Sequence, residues 1–249
     1  MVDRPILFSA PMVRALLAGT KTQTRRVLRL PTKTHSGGPI YERPDMGGWE
    51  PTTHGGGGCF TFGPAGEKIP AHEQVAIWHR TTGTCALAPW QPGDRAWVRE
   101  TWRCNGWATD VATIMYRASE GDGYTAMTEQ FPVSGKPRVR PDGLWRSSIH
   151  MPRWASRLTL LITEVRVERL QEIDEAGVAA EGIEPGRAID WMGPEGARRD
   201  FGPVDGFRGL WNSIHGPGAW AENPWVVALT FRVVAQNIDS IAAEAGHGG

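Results

Sequence analysis

The sequence predicts an α+β protein in which about six strands form a small mixed or antiparallel β-barrel, with two or three outer helices. Apolar segments with strand character recur along the whole chain. They are not separated by regular helices, which argues against a doubly wound parallel sheet. Long stretches rich in glycine and proline interrupt the pattern and are typical of large loop insertions.

The first elements are a short strand, a helix and a second strand. Residues 6–8 are an apolar run that begins a strand. Ser9 suits a helix N-cap and Gly19 suits the position just after a helix, so a helix is predicted over 9–18. The β-branched content of residues 22–30 then favours a strand.

The rest of the chain alternates between regular elements and insertions, which we predict to form one domain over 1–238. Insertions are predicted at about 31–92 (loops with a short strand pair), 119–142 and 184–203, and a flexible tail over 239–249. Strands are predicted over 71–78, 95–102, 112–117, 158–170 and 224–234. Helices are predicted over 171–181, ended by Gly182, and over 207–214.

Composition narrows the function classes. The formal net charge is zero, which argues against a strongly polyanion-seeking protein but leaves room for a local basic patch. Twelve tryptophans are numerous, and such rings fill cores or line binding surfaces. No apolar run is long enough to cross a membrane, and the first residues lack signal-peptide features. We therefore expect a cytoplasmic protein without a membrane partner.

The segment LLAGTKTQTRRV resembles the signature of the ASCH domain family, which is an apolar helix, a glycine and then K-T-x-T-x-R at the start of a strand. The matching residues are Gly19, Lys21, Thr22, Thr24 and Arg26. Weaker similarity to the family covers PGDRAWVRETW and the helix-and-strand segments EVRVERLQEIDEAGVAAEGI and NPWVVALTF. The segments RPILFSAPMVRALLAGTKTQTRRV and SIHMPRWASRLTL also resemble longer ASCH-like proteins of phages and prophages.

This resemblance implies a PUA-like barrel, a fold often proposed to bind RNA. One bacterial member of the family hydrolyses N4-acetylcytidine with a lysine, a threonine and a glutamate. Lys21 and Thr24 match the first two of these catalytic residues. Glu175 and Glu181 repeat the E-x5-E spacing of that enzyme's late helix, and on this register Glu181 matches the catalytic glutamate.

The residues themselves fit this chemistry. A neutral lysine can take the proton of a threonine hydroxyl three residues away. The pKa of Lys21 must then fall from about 10.4 toward neutrality, which burial and the charges of Arg25 and Arg26 favour. A glutamate can instead activate water or protonate the leaving amine. The order of these roles stays open.

Four further residues are candidates for substrate binding. Strand alternation predicts that Thr22, Thr24 and Arg26 share one face, where Arg26 can hold a carbonyl oxygen or phosphate. His150 and Trp154 can line a pocket and stack on a base. The simpler interpretation is that Lys21 and Arg25 are surface charges on a loop, the threonines are strand formers, His150 belongs to a hydrogen-bonded turn and Trp154 to the core.

No cofactor or metal is expected. The thiols and imidazoles between Cys59 and Cys104 match no standard zinc spacing, and the odd number of cysteines does not indicate a disulfide framework. The GGGG run lacks the lysine and helix of a phosphate loop.

Three hypotheses remain. The chain is an amidohydrolase acting on N4-acylated cytidine, free or within nucleic acid; a non-catalytic module that binds RNA or a modified DNA base; or a structural phage protein with a vestigial pocket. The neutral charge favours the first hypothesis, and the insertions, which can form a clamp, favour the second.

Overall fold

We describe a computed structural model of the protein over residues 1–62, 64–121, 128–183 and 202–241. These residues contain thirteen strands and three α-helices. In chain order they are β1 (Asp3–Leu7), α1 (Ala10–Leu17), β2 (Gln23–Val27), β3 (Trp49–His54), β4 (Phe60–Phe62), β5 (Lys68–Pro70), β6 (Gln74–His79), β7 (Cys85–Leu87), β8 (Arg95–Arg99), β9 (Trp102–Trp107), β10 (Val111–Tyr116), β11 (Thr128–Pro132), β12 (Thr159–Arg169), α2 (Glu175–Ala180), α3 (Pro203–His215) and β13 (Trp225–Val234).

The chain divides into two compact units, and β12 and β13 each have residues in both. The first unit comprises 1–22, 93–162 and 231–249, and the second comprises 23–92 and 163–230. Neither grouping is contiguous in sequence. The prediction of one domain over 1–238 stays a prediction.

The first unit contains a parallel strand pair and a three-stranded antiparallel sheet. β1 pairs in parallel with β8, and β8 pairs with the start of β12. β10 lies between β9 and β11. One face of this second sheet packs on a core that also receives side chains from the following segment. The core residues are Trp102, Cys104, Ala112, Ile114, Tyr116, Phe131, Val133, Met151, Trp154 and Ala155.

The second unit contains an antiparallel strand pair, a three-stranded sheet, a hairpin and two helices. β2 runs antiparallel to β13, and β6 lies between β3 and β7. A separate hairpin is formed by β4 and β5. Helices α2 and α3 pack on a core that consists of Leu170, Ile173, Val178, Phe207, Trp211, Ala219 and Val226.

The predicted α+β class is confirmed, whereas a PUA-like barrel is not. The strands that the structure describes form four sheets, and none of them closes into a barrel. The predicted helix over 9–18 and the strands over 158–170 and 224–234 correspond to α1, β12 and β13. No helix within the described ranges is long and apolar enough to cross a membrane.

The insertion at 31–92 contains more regular structure than the sequence indicated. Five short strands, β3 to β7, occupy this region, where a single strand pair and one returning strand were predicted. Their pattern is weak because few residues, such as Ala76 and Ile77, are buried, while Phe60 and Phe62 are exposed. Without an apolar face, strand periodicity is not visible in sequence.

The other insertions are described only in part. The segment 119–142 contains β11, which pairs with β10 along its length. Most of the predicted loop 184–203 lies outside the described residues, as does most of the predicted tail 239–249.

Candidate functional site

Strand β2 carries the end of the K-T-x-T-x-R motif in the second unit. Thr24 is only 3 % exposed and pairs in register with Leu229 of β13. Leu28, just after β2, donates its N–H to the carbonyl of Trp225. Because backbone groups alternate in direction along an antiparallel strand, the N–H of Arg25 points away from β13, toward the other edge of β2.

Glu181 occupies this other edge. Its Oε1 atom accepts a hydrogen bond of 2.6 Å from the backbone N–H of Arg25, across 156 positions of sequence. Glu181 is the C-cap of α2, is 8 % exposed, and is followed by Gly182 in the left-handed region at φ 80°. The end of a short helix thus brings a buried carboxylate to the strand that carries Thr24.

The guanidinium of Arg25 is enclosed between two carboxylates. Its Nε and Nη2 atoms lie 2.9 and 2.8 Å from Oε1 of Glu168, and its Nη1 atom lies 3.5 Å from Oε1 of Glu181. Nη1 also donates to Oε1 of Gln23 at 2.8 Å, and Gln23 in turn donates to the hydroxyl of Thr230. Fixed on three sides, Arg25 holds Glu181 through both its backbone and its side chain.

Gly177 allows α2 to lie close to Arg25. A Cβ atom at this position would meet Nη2 of Arg25 and Oδ1 of Asp174 at 3.0 Å, and Cγ1 of Ile173 at 3.1 Å. Asp174 is the N-cap of α2 and accepts a 2.7 Å hydrogen bond from the N–H of Gly177. The absence of a side chain at Gly177 therefore lets α2 pack close to β2.

A second cation lies near Glu181. Burial lowers the pKa of Arg26, and the carboxylate of Glu181 partly offsets this by favouring the charged guanidinium. Desolvation lowers the pKa of His215, at the end of α3, and the charge of Arg26 lowers it further. The imidazole of His215 stacks on Trp211 with ring centroids 4.2 Å apart. Glu181, Arg26 and His215 thus belong to one electrostatic neighbourhood.

Lys21 belongs to the first unit and is also buried. Its side chain is 1 % exposed, its Nζ lies 5.7 Å from the centre of the Phe8 ring, and its N–H donates to the carbonyl of Ala15 at 3.1 Å. Arg25 is likewise buried, at 6 % exposure. The alternative in which these two residues are surface charges is therefore wrong.

The other predicted substrate-binding residues differ in position. Thr22 precedes β2 and is exposed, so it does not extend the Thr24 face of the strand. His150 is exposed in a 3₁₀ turn, Ser148–His150, of the first unit. Trp154 is buried and packs edge-on against Trp107 and Phe131 in the core of that unit. The position of Trp154 favours the core role that the sequence left open.

Metal ligation has little geometric basis. Within the described residues, no three His, Cys, Asp or Glu side chains are grouped so that they could hold a metal ion. Cys59 is exposed, Cys85 is half-buried and Cys104 is buried, and all three are free thiols.

The residues that hold Glu181 are not recognisable from the sequence. Glu168 was one of several charges on the alternating strand β12, and His215 was an ordinary residue at a helix end. Glu168 gives no local signal, because it alternates with Val165 and Val167 as a solvent-facing strand charge would. Its partner Arg25, 143 positions away, has no local signature either.

No protein-family model matches this chain, and no curated protein or solved structure is significantly similar to it. The resemblance to the ASCH family accordingly rests on the motifs quoted above.

Proposed function

We propose that this protein is an ASCH-type amidohydrolase that removes an acyl group from the exocyclic N4 of a modified cytidine. The carrying observation is the buried carboxylate of Glu181, which accepts the N–H of Arg25, the residue directly after Thr24. The carboxylate of Glu181 thus binds the short strand segment that also carries the hydroxyl of Thr24, although the two residues are far apart in sequence.

Lys21 supports the same proposal independently. It is buried, as a lysine base must be for its neutral form to be favoured. It precedes Thr24 by three residues in the K-T-x-T motif.

Two routes use these groups. In the first, Lys21 takes the proton of the Thr24 hydroxyl, whose oxygen attacks the amide carbon; the C–N bond breaks, the amine leaves with a proton, and water then hydrolyses the acyl ester. In the second, Glu181 takes a proton from water, the resulting hydroxide attacks the same carbon, and the proton passes to the leaving amine. Both give cytidine and a free carboxylate. Arg26 is suited to hold the carbonyl oxygen.

Incubation with N4-acetylcytidine, followed by chromatography for cytidine, tests the proposal. We expect Glu181→Gln to lower kcat/KM by about 10²- to 10⁴-fold, the usual contribution of a general acid or base. Glutamine keeps an oxygen that can accept the N–H of Arg25, so folding is preserved. Glu175→Gln is the matched control, because Glu175 is an exposed glutamate of the same helix. Equal loss in both variants contradicts the catalytic assignment of Glu181.

Substitution of Thr24 separates the two routes. Thr24→Val keeps the shape but removes the hydroxyl, so the first route predicts loss of turnover and the second predicts retention. Mass spectrometry of rapidly quenched wild type detects an acyl adduct only in the first route. Lys21→Met, with the exposed Lys33→Met as control, assigns the base.

The alternative is recognition of RNA or a modified DNA base without turnover. Its basis is the same cationic and hydroxyl groups, with Arg26 as the main contact. Inert wild-type protein together with weaker RNA binding by Lys21→Ala would replace the enzyme proposal with this one.

A further inference from the structure

Segment 143–150 of the first unit is accompanied by four arginines. Arg103 donates through Nη1 to the carbonyl of Gly143 at 3.3 Å, and Nη2 of Arg99 donates to the carbonyl of Ile149. Arg146 lies within the segment, and its backbone exchanges hydrogen bonds of 2.7 and 3.2 Å with Trp102 of β9. The fourth is Arg117. We call Arg99, Arg103, Arg117 and Arg146 the arginine strip.

Each guanidinium of the arginine strip lies against an indole ring. The Cζ atoms of Arg103 and Arg117 are 4.7 and 5.1 Å from the centre of Trp145. Arg103 pairs in register with Met115 of β10, and Arg117 follows two residues later, at the start of the 3₁₀ turn Arg117–Ser119. Such stacking fixes planar cations on a surface and leaves their remaining edges for ligands.

A similar arrangement recurs at the two remaining arginines. The Cζ of Arg99 is 5.3 Å from the centre of Trp97, and that of Arg146 is 5.5 Å from Trp102. The two tryptophans are buried, whereas both arginines are half-exposed. Rigid indoles therefore anchor cations that still reach the solvent.

Two members of the strip are incompletely satisfied within the protein. Arg117 pairs with Glu120 at 2.9 Å and Arg146 with Asp142 at 2.8 Å. In the described part of the chain, Arg99 and Arg103 form no ion pair, and their buried Nε atoms have no hydrogen-bond partner. Desolvation without a compensating anion lowers the pKa of Arg99. An external anion at the exposed edge of either half-buried guanidinium would offset the desolvation of its charge.

The surroundings add positive charge and planar surface. Exposed Lys136, Arg138 and Arg140 precede the segment, and residues 136–150 contain four lysines or arginines against one aspartate, in a chain of zero net charge. Leu144 is 66 % exposed beside the half-buried Trp145. Spaced guanidinium groups match successive phosphates, and unpaired bases stack on aromatic and guanidinium planes.

We propose that the arginine strip binds single-stranded nucleic acid, with Arg99 and Arg103 each contacting a phosphate. This inference does not depend on the hydrolytic function, because it concerns other residues and needs no acyl group.

Fluorescence anisotropy with a labelled unmodified 12-nucleotide strand tests it, with separate RNA, DNA and duplex DNA arms. We expect both single strands to bind more tightly than the duplex. The Arg99→Met/Arg103→Met variant should bind about tenfold or more weakly per arginine removed, since charge-assisted hydrogen bonds are lost. The slope of log K against log salt should become shallower by about 0.7 for each lost contact. Arg43→Met, at an exposed arginine paired with Asp45, should change neither quantity.

A second variant guards against misfolding. Arg99→Lys/Arg103→Lys keeps both charges, so its salt slope should match wild type while its affinity falls through loss of the planar fork. Unchanged affinity and slope in the methionine variant overturn the proposal. Binding to the duplex or to polyglutamate as tight as to the single strands also overturns it, because the surface would then be a general polyanion or acidic-protein site.

Discussion

Arg157 in the first unit and Arg25 in the second are both buried, but their charges are compensated in different ways. Arg157 binds Glu100 through two nitrogens, with Nε and Nη2 at 2.9 and 3.1 Å from the two carboxylate oxygens. Its Nη1 donates to the hydroxyl of Ser119 at 3.1 Å, and its Cζ lies 4.0 Å from the centre of the Tyr116 ring. A second carboxylate, Glu129, lies farther away, with Oε1 3.9 Å from Nη1 of Arg157. We call this the closed cluster, because Arg157 binds both oxygens of Glu100.

Arg25, by contrast, is shared by Glu168 and Glu181. The Nε and Nη2 atoms of Arg25 both lie within 2.9 Å of Oε1 of Glu168, whereas Glu181 is held mainly by the backbone N–H of Arg25 and has Arg26 as a second cation nearby. The difference teaches that burial of charge does not by itself identify a site. A carboxylate whose two oxygens are both bound by one guanidinium stabilises a core, whereas a buried carboxylate held mainly by a backbone N–H is a candidate for proton transfer.

Breaking the closed cluster should have the largest effect on stability. Arg157→Met leaves Glu100 buried without its cation, which costs about 3–5 kcal/mol of unfolding free energy. Burial already raises the pKa of Glu100, against the hydrogen bonds from Arg157. Urea unfolding at neutral pH, followed by tryptophan fluorescence, measures the change.

The double variant Glu100→Leu/Arg157→Met is the control. It removes both charges, so we expect it to recover most of the lost stability. A single variant that loses less than about 1 kcal/mol would show that the Arg157 cluster is not a stabilising pair, and the contrast with Arg25 would collapse.

The sequence predicts local elements better than it predicts the contacts around Glu181. Local patterns suffice for α1, β12 and β13, because apolar periodicity, a cap residue and a glycine are all read within a few positions. Glu181 was reached through a family resemblance. The contacts that explain its position were not visible, because Arg25 and Glu168 are 143 positions apart and each alone is an ordinary strand charge.

The predicted strand boundary near Glu100 was wrong for a related reason. One strand was predicted over 95–102, whereas β8 ends at Arg99 and β9 begins at Trp102. Alternation continues through this region, so periodicity does not indicate a break. The interruption coincides with the pair between Glu100 and Arg157, a tertiary contact across 57 positions.

A substitution with a smaller expected effect tests how firmly Arg25 is held. Gly177→Ala should destabilise the protein by about 1 kcal/mol, because the new methyl group meets Arg25, which Glu168 and Gln23 prevent from moving. Gly209→Ala, in α3, has nothing within 4 Å of the added Cβ and should stabilise by about 0.5–1 kcal/mol through helix propensity alone. Thermal unfolding of both variants tests the opposite signs. If Gly177→Ala also stabilises, Arg25 is loosely held and cannot position Glu181.

The smallest effect is expected at a more exposed cluster, which is formed by Asp3, Arg95 and Arg153. Asp3 binds Arg95 through both oxygens, at 2.7 and 2.8 Å, and accepts from Nη2 of Arg153 at 2.6 Å. The hydrogen bonds from Arg95 and then Arg153 lower the pKa of Asp3 below 3.8, although partial burial opposes them. A lowered pKa in the folded state means that the unfolded chain binds the proton more tightly. The resulting stability is therefore present above about pH 3.8 and is lost as the pH falls through the lower folded pKa.

Asp3→Asn should cost about 1 kcal/mol or less at pH 7, and the difference from wild type should shrink at pH 3 in urea titrations. A difference that stays constant between these pH values would assign the effect to packing, and Asp3 would then differ from the buried pairs in kind as well as in size.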